Sequence, residues 1–151
     1  MLEDRDRAIL RRWQADPSLS PADLGEAVGL SAAQVARRIE RMTRDGVIRG
    51  QRAVIDWAAL GYPLAVSLRV TLDKTVPNAF DGFIAAAREV AEVLEIQTFL
   101  GRVDVRLSLV ARDLGHYQQV YRDRILSLPH IADIEALMDV ASVRDEMGLP
   151  L

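Results

Sequence analysis

Apolar residues recur at helical spacing through the first third of the chain. The first run predicts a helix over Asp4–Ala15, which Asp16-Pro17 ends. Two further helices are predicted on either side of Gly29-Leu30-Ser31. The first of these is short and begins after Ser20, and the second is longer and ends at Asp45-Gly46. A glycine-containing turn of this length between two helices is typical of a helix-turn-helix motif.

Two serines mark the starts of the second and third helices. Ser20 and Ser31 are favourable N-cap residues. Asp23 and Gln34 follow them by three residues and can return the second bond of a capping box. The residues that we expect to pack inward from these two helices are Leu24, Ala27, Val28, Val35, Ile39 and Met42.

The third helix carries its arginines on the side opposite its apolar stripe. At about 100° per residue, that side holds Gln34, Arg37, Arg41 and Arg44, with Arg38 on its flank. A recognition helix needs one face on its own core and another that offers cations and amides to phosphates and base edges. An ordinary surface helix also has a charged outer face. DNA binding is therefore predicted from the combination of the glycine turn, the two caps and the arginine face.

Candidate DNA-binding residues lie at the caps, on this outer face and beyond the helix. The segment Val47–Ile55 alternates around Gly50 and predicts a strand that leaves a winged-helix unit. Arg49 and Arg52 on that strand can reach flanking phosphates. The predicted set is Ser20, Ser31, Ala33, Gln34, Arg37, Arg38, Arg41, Arg44 and Arg49.

The remaining two thirds of the chain alternates between strand and helix patterns. The predicted elements are a strand over 65–72, a helix opened by Pro77-Asn78, strands over 93–100 and from Val103, a helix over 114–128 and a last strand over 134–140. This βαββαβ order is the ferredoxin-like split βαβ unit, so the predicted fold class is α+β. The predicted domains are residues 1–50, a joint over 51–63, and residues 64–151.

Helices in such a unit cover only one face of the sheet. Several strands nevertheless carry apolar residues on both faces. In the second strand Leu94 and Ile96 lie opposite Val93 and Phe99, and in the last strand Leu137 lies opposite Met138. Apolar surface on an uncovered sheet face is usually buried by another sheet, so we predict dimerisation through this domain. The alternative, that Leu137 and similar residues are isolated surface side chains, stays open.

Composition and charge exclude some classes of function. The chain has no cysteine, which excludes disulfide scaffolds, cysteine nucleophiles and thiolate metal sites. No apolar run approaches the roughly 18 residues of a membrane helix, and the acidic start lacks the order of a signal peptide. The net charge of −3 argues against nucleic-acid binding by the chain as a whole.

That charge is unevenly divided. Nine arginines and eight acidic residues give residues 1–50 a charge of +1, while ten basic and fourteen acidic residues give the rest −4. Eighteen of the 19 basic residues are arginine. This excess of arginine is explained equally well by a genomic codon preference and by a functional need for planar groups that bind phosphate.

Over nearly its whole length the chain resembles the Lrp/AsnC family of bacterial and archaeal transcription regulators. The segments that carry the resemblance are Asp6–Leu10, Leu24–Ser31, Val35–Met42, Asp45–Gly50 and Gly101-Arg102-Val103-Asp104. The last of these matches the family's Gly-x-x-Asp turn between the second and third strands.

The resemblance implies a cytoplasmic regulator of transcription that binds double-stranded DNA as a dimer or a higher oligomer such as an octamer. It implies no membrane partner, and we expect no cofactor, metal ion or catalytic residue. It also implies an amino-acid effector held between C-terminal domains, near the Gly-x-x-Asp turn and the last strand. The matching positions are Gly101, Arg102, Asp104 and Ala136.

The effector turn departs from the family pattern at two positions. Gly101 gives the backbone room, and Asp104 is a candidate anion for an effector's ammonium group. The position before the aspartate is often aromatic but is Val103 here. Arg102 can bind a carboxylate, pair with Asp104 or fill the pocket, so the identity of the effector stays open.

Three other functions are compatible with the sequence. Some proteins that resemble these regulators decarboxylate sirohaem, but such a site needs histidines in a cavity, and His116 and His130 are predicted at surface turns. The chain can also be an interaction module whose helix-turn-helix contacts protein. Within DNA binding, an architectural protein that needs no effector is supported equally by the arginine content.

Overall fold

The computed structural model describes residues 2–140, which form two compact units that divide between Val54 and Ile55. The N-terminal unit contains helices α1 (Asp4–Ala15), α2 (Pro21–Val28) and α3 (Ala32–Arg44). The C-terminal unit contains β1 (Leu64–Leu72), α4 (Ala79–Ala87), β2 (Val93–Thr98), β3 (Val105–Ala111), α5 (Leu114–Val120) and β4 (Ile131–Met138). Each unit has its own apolar core.

Capping boxes begin α2 and α3 as the sequence predicts. The Ser20 Oγ accepts the Asp23 N–H at 3.2 Å, and an Asp23 carboxylate oxygen accepts the Ser20 N–H at 2.9 Å. The Ser31 Oγ likewise accepts the Gln34 N–H at 3.2 Å, and the Gln34 Oε1 accepts the Ser31 N–H at 2.9 Å. These bonds satisfy N–H groups that the first turn of a helix leaves without partners.

The turn between α2 and α3 brings the backbone unusually close to itself. Gly29 adopts the left-handed conformation (φ 70°), and the Leu30 N–H donates to the Gly25 carbonyl at 2.9 Å. A Cβ atom at Gly25 would lie 2.4 Å from the Leu30 carbonyl oxygen. Ala27, which the periodicity placed inward, is exposed, and Gly25 is buried in its stead. The glycine therefore lets α2 approach the turn.

The strand predicted after α3 does not form. Residues 47–56 are irregular, and the N–H groups of Val47 and Ile48 both donate to the Met42 carbonyl at the end of α3. Gly50 has a positive φ of 141°. Alternation of side chains predicts a strand only where a neighbouring strand can pair with it, and in the part of the chain that the structure describes no strand pairs with residues 47–56. The predicted helix-turn-helix is confirmed, but the prediction of a wing strand is wrong.

The C-terminal unit is a four-stranded antiparallel sheet with the order β2-β3-β1-β4, which confirms the predicted α+β class. Alternate residues of β1 and β3 are buried under the helices, as expected for strands with one covered face. Phe83 and Ala87 of α4 and Tyr117 of α5 pack on this face. The chain continues from α5 as one π-helical turn, Tyr121–Ile125.

Three details of this unit differ from the predicted pattern. The last strand begins at Ile131, three residues earlier than expected, and Phe80 is exposed although its spacing placed it on the buried face of α4. A register shift in β2 between Val93 and Glu95 pairs Val93 with Leu109 and Ile96 with Leu107. Both β2 side chains therefore pack on the helix-covered core, and the prediction that Val93 and Ile96 lie on opposite faces is wrong.

We expect Gly25→Ala to destabilise the N-terminal unit, because its new methyl group meets a backbone oxygen that cannot rotate away. Overpacking of this kind costs about 1–3 kcal/mol. Gly82→Ala in α4 is the matched control, since its Cβ would lie 3.5 Å from the His130 ring, an ordinary contact. Thermal unfolding followed by circular dichroism should show a lower midpoint for Gly25→Ala only. Equal midpoints would show that the α2 turn relaxes around a methyl group.

Candidate nucleic-acid interface and effector turn

Four predicted DNA-binding residues lie side by side on the outer surface of α3. Gln34, Arg37, Arg38 and Arg41 line a shallow depression of about 320 Å³. Gln34 and Arg37 are exposed, while Val35 and Met42 on the opposite side of the helix are buried in the core. Because α3 is held by its apolar side, this surface is presented to solvent as a recognition helix requires.

The four side chains are not equivalent, because two of the arginines are paired with carboxylates of α1. Arg38 Nη1 donates to the Glu3 Oε2 at 2.8 Å and to the Asp6 Oδ1 at 2.9 Å. Arg41 Nη2 donates to the other Asp6 oxygen at 2.5 Å. The Asp6 side chain has no exposed surface, whereas those of Arg38 and Arg41 are 24% and 37% exposed. These two arginines thus join α3 to α1.

The carboxylate of Asp6 is held in its charged form. Burial raises the pKa of Asp6. The hydrogen bond from the Glu3 N–H and the bonds and charges of Arg38 and Arg41 lower it by more than burial raises it, so the pKa lies below the usual value of 3.8. The same bonds to Glu3 and Asp6 raise the pKa of Arg38. The contact is therefore an ion pair at any pH near neutrality.

The other predicted DNA-binding residues surround this surface without joining it. Ser20 and Ser31 are exposed and occupied as caps. Ala33 is exposed and its carbonyl accepts from the Arg37 Nε at 3.4 Å. The remaining two, Arg44, which lies 3.4 Å from Asp45, and Arg49, in the irregular segment, are also exposed. The structure therefore brings together only the four residues of the α3 depression.

Sequence reasoning missed Glu3 and Asp6. One signal was present, since Asp6 precedes Ile9 by three residues and Trp13 by seven, which places it on the apolar stripe of α1. A charged residue in such a stripe must either reach solvent or find a partner. Which partner it finds depends on α3, which lies more than 30 residues away in the chain.

The Gly-x-x-Asp turn is held to the edge of β1. Asp104 has a side chain that is 16% exposed; its Oδ2 accepts the Leu72 N–H at 2.9 Å, and its Oδ1 lies 3.4 Å from the Lys74 Nζ. The Thr71 hydroxyl donates to the Arg102 carbonyl at 2.9 Å. Lys74, rather than Arg102, therefore pairs with Asp104, and no motif of the sequence indicates this role for Lys74.

A small pocket of about 220 Å³ adjoins Asp104, with Lys74 and Phe80 also in its lining. Gly101 lies in the same turn with a φ of 157°, and Arg102 is exposed. Ala136 is not part of this group. It pairs with Leu68 in the sheet, several residues along β1 from the turn, and it lies on β4 beyond β1. Of the four predicted effector residues, Asp104 lines the pocket, and Gly101 and Arg102 share its turn without lining it.

The two histidines lie in different local environments. The His116 Nδ1 accepts the Arg112 N–H at 3.2 Å, and its ring lies edge-on to Tyr62. His130 occupies a tight turn with a positive φ of 66°. Among residues 2–140 there is no group of three or more histidine, cysteine or acidic side chains placed to hold a metal ion. None of the helices described is both long and apolar enough to cross a membrane.

Comparison with known proteins accounts for both units. The AsnC-type helix-turn-helix domain matches residues 2–43, and the Lrp/AsnC ligand binding domain matches residues 65–149. The chain belongs to the Lrp/AsnC family. It is thus a DNA-binding transcriptional regulator with a ligand-binding domain, as the sequence motifs predicted.

Curated Lrp/AsnC relatives are similar over almost the full chain. The proline dehydrogenase transcriptional activator of Rhodobacter capsulatus is 30% identical, and the match covers 97% of this chain and 95% of the relative. The leucine-responsive regulatory protein of Haemophilus influenzae is also 30% identical, with 99% and 90% covered. These relatives are named as regulators, which points away from the enzymatic alternative.

Solved structures of Lrp/AsnC proteins share the fold. An AsnC family regulator from Agrobacterium tumefaciens is 30% identical with a TM-score of 0.88, and a regulator from Neisseria meningitidis, solved as a complex with L-Met, is 25% identical with a TM-score of 0.92. Each match covers 99% of this chain and 97% of the neighbour. The order of helix-turn-helix and four-stranded sheet is thereby confirmed.

We expect Asp6→Asn to lower the free energy of unfolding at neutral pH, by about 1.5–3 kcal/mol for hydrogen bonds to a charged group. The pKa of Asp6 is lower in the folded protein than its ordinary value of 3.8. Its contribution is therefore complete well above 3.8 and is lost as the pH falls through the lowered folded value. Urea unfolding at a series of pH values should show the difference between wild type and variant shrinking in acid.

Trp13 fluorescence, with Trp57 replaced by Phe in every variant, reports this transition because Trp13 packs on the N-terminal core. Asp4→Asn is the control, since Asp4 is an exposed residue of the same helical turn. A difference between wild type and Asp6→Asn that stays constant from neutral to acid pH would contradict a charged Asp6.

Proposed function

We propose that this Lrp/AsnC regulator binds specific sequences of double-stranded DNA in the major groove through the N-terminal part of α3. The observation that carries the proposal is the exposed pair Gln34 and Arg37, one helical turn apart on a helix whose opposite side is buried. An amide and a guanidinium group are the side chains that read adenine and guanine edges. Residues 1–50 are then the DNA-binding domain, 51–63 the joint and 64–151 the ligand-binding and oligomerisation domain.

The pairing of Arg38 and Arg41 favours specific binding over architectural compaction. A protein that binds DNA through charge alone needs free cations along its contact surface. Here Glu3 and Asp6 partly neutralise two of the arginines on α3. Discrimination between sites then depends more strongly on Gln34 and Arg37.

We expect Arg37→Ala to weaken DNA binding without lowering stability, because the side chain is exposed and packs on no core residue. Loss of a base contact costs about 1–3 kcal/mol, and loss of a phosphate contact reduces the logarithmic salt slope by about 0.9. Fluorescence anisotropy with the region upstream of the protein's own gene measures both. Arg124→Ala, an exposed arginine of the C-terminal unit, is the control.

Unchanged affinity and unchanged slope for Arg37→Ala would remove the recognition role of α3. Wild-type protein that binds neither this region nor random DNA would favour the interaction-module alternative.

We further propose that the protein is a homodimer, with octamers as a higher form, and that its C-terminal unit forms the dimer interface. Leu94 and Val110 line an apolar cavity of about 420 Å³ together with Trp57 and Leu60. Glu92 also lines this cavity, and its Oε2 is buried with no hydrogen-bond partner among the residues that the structure describes. A second copy would cover this apolar surface and can supply the missing donor.

We expect Leu94→Glu to weaken the dimer, because it places a charge where a second copy packs. Sedimentation velocity should show wild-type protein at twice or more the chain mass of 16.8 kDa and the variant shifted toward the monomer. Leu126→Glu is the control, as Leu126 is a comparably exposed leucine of the same unit outside the cavity. If both variants sediment as wild type does, the cavity is not the interface.

We propose that an amino acid is the effector and that it binds beside the Gly-x-x-Asp turn. The neighbouring structure from Neisseria contains L-Met, and the pocket next to Asp104 offers a carboxylate and the Lys74 ammonium group for the two charges of a free amino acid. Ala136 belongs to this site only if a second chain brings its β4 to the turn. Because its partner is DNA, we place the protein in the cytoplasm.

A thermal-shift screen of the standard amino acids tests the effector. A ligand at 100 times its dissociation constant stabilises the native state by about 2.7 kcal/mol, so the unfolding midpoint should rise for one amino acid or a related group. Asp104→Asn should lose this rise, while Asp123→Asn, an exposed carboxylate elsewhere in the unit, should keep it. A rise that survives Asp104→Asn would place the ligand away from this turn.

A further inference from the structure

The ion-pair cluster between α1 and α3, formed by Glu3, Asp6, Arg38 and Arg41, contains two carboxylates with different exposure. The Asp6 side chain has no exposed surface, and it accepts hydrogen bonds from the Glu3 N–H, Arg38 and Arg41. The Glu3 side chain is 57% exposed and lies 2.8 Å from Arg38 and 3.8 Å from Arg41. Asp6 is therefore a fixed anchor, whereas Glu3 is a partner that solvent or another anion can displace.

A DNA phosphate and the Glu3 carboxylate can bind the same groups at this surface. Both are anions whose oxygens accept N–H groups from a guanidinium fork. Arg38 and Arg41 lie in the same depression as Gln34 and Arg37, so a phosphate that contacts the recognition surface comes close to Glu3. It must either replace Glu3 on the arginines or sit beside it as a second negative charge.

We propose that Glu3 is an intramolecular competitor of DNA phosphate for Arg38 and Arg41, and that it lowers the affinity of the protein for non-specific DNA. The proposal rests on the proposed function, in which α3 is the recognition helix. Asp6 acts as a positioning residue that keeps both guanidinium groups on the surface while Glu3 is displaced.

The competition adds a free-energy cost to every complex in which a phosphate displaces Glu3. Non-specific binding derives almost entirely from phosphate contacts, so displacement of Glu3 reduces its affinity in full. A specific site also offers base edges to Gln34 and Arg37. Glu3 pairs with Arg38 and does not contact either of these two residues. The same cost applies to a specific complex that displaces Glu3, so the carboxylate lowers the affinity for non-specific DNA without by itself changing the ratio between the two kinds of site.

The experiment compares full-length wild type with Glu3→Gln on random-sequence duplex DNA over a range of salt concentrations. We expect several-fold tighter binding by Glu3→Gln at low salt, with the logarithmic slope steeper by up to about 0.9 for each additional phosphate that the arginines neutralise. Asp4→Asn is the matched control. It removes the same charge one residue along α1, and Asp4 has no ion pair within the part of the chain that the structure describes.

Glu3 is also the N-cap residue of α1, so a second variant guards against loss of fold. Glu3→Ser keeps a side chain that caps helices while removing the carboxylate. Both Glu3 variants should bind more tightly than Asp4→Asn and should unfold at the wild-type temperature. Equal affinities and slopes for the Glu3 and Asp4 variants would overturn the proposal, as would weaker binding by a folded Glu3 variant.

Arg37→Ala separates failure of this inference from failure of the proposed function. If Arg37→Ala weakens binding while the Glu3 variants match Asp4→Asn, only the competition by Glu3 is wrong. If Arg37→Ala has no effect, or if wild-type protein binds no DNA, the recognition role of α3 is wrong and the inference falls with it.

Discussion

A carboxylate without exposed surface must be matched by hydrogen-bond donors, and in the N-terminal unit Asp6 places that requirement between two helices. Its donors Arg38 and Arg41 stand on adjacent turns of α3. Two contacts three residues apart fix the rotation of α3 about its own axis as well as its distance from α1. The direction in which Gln34 and Arg37 face solvent depends on this pairing together with the buried side chains of Val35 and Met42.

Local rules predicted most of the helices and the fold class. The start of α3 depends on residues only three apart, Ser31 and Gln34, and the chain reversal before it depends on Gly29. The four strands follow from alternation, because β1 and β3 each have one face covered by helices. The family resemblance, which rests on motifs from both units, is confirmed by the comparisons.

The features that the sequence left undetermined depend on distant contacts. Alternation in residues 47–55 resembled a strand, but within residues 2–140 no second strand pairs with it. A single shift of register at Leu94 moves Ile96 to the other face of β2, and nothing local to β2 indicates it. The pairing of Asp6 with α3 and of Asp104 with Lys74 likewise joins residues about 30 positions apart. Both pairings changed the roles of predicted site residues.

The ion pairs that hold Arg38 and Arg41 at the start of α1 also affect how this regulator can acquire new target sequences. We expect a substitution at Asp6, Arg38 or Arg41 to alter stability together with the proposed recognition surface, since each removes one charged member of the cluster. Arg37 carries no such constraint, because it is exposed and outside the cluster, whereas Gln34 also closes the capping box with Ser31. We therefore expect divergence of operator preference without loss of the fold to be concentrated at Arg37, in the part of α3 that we propose contacts the bases.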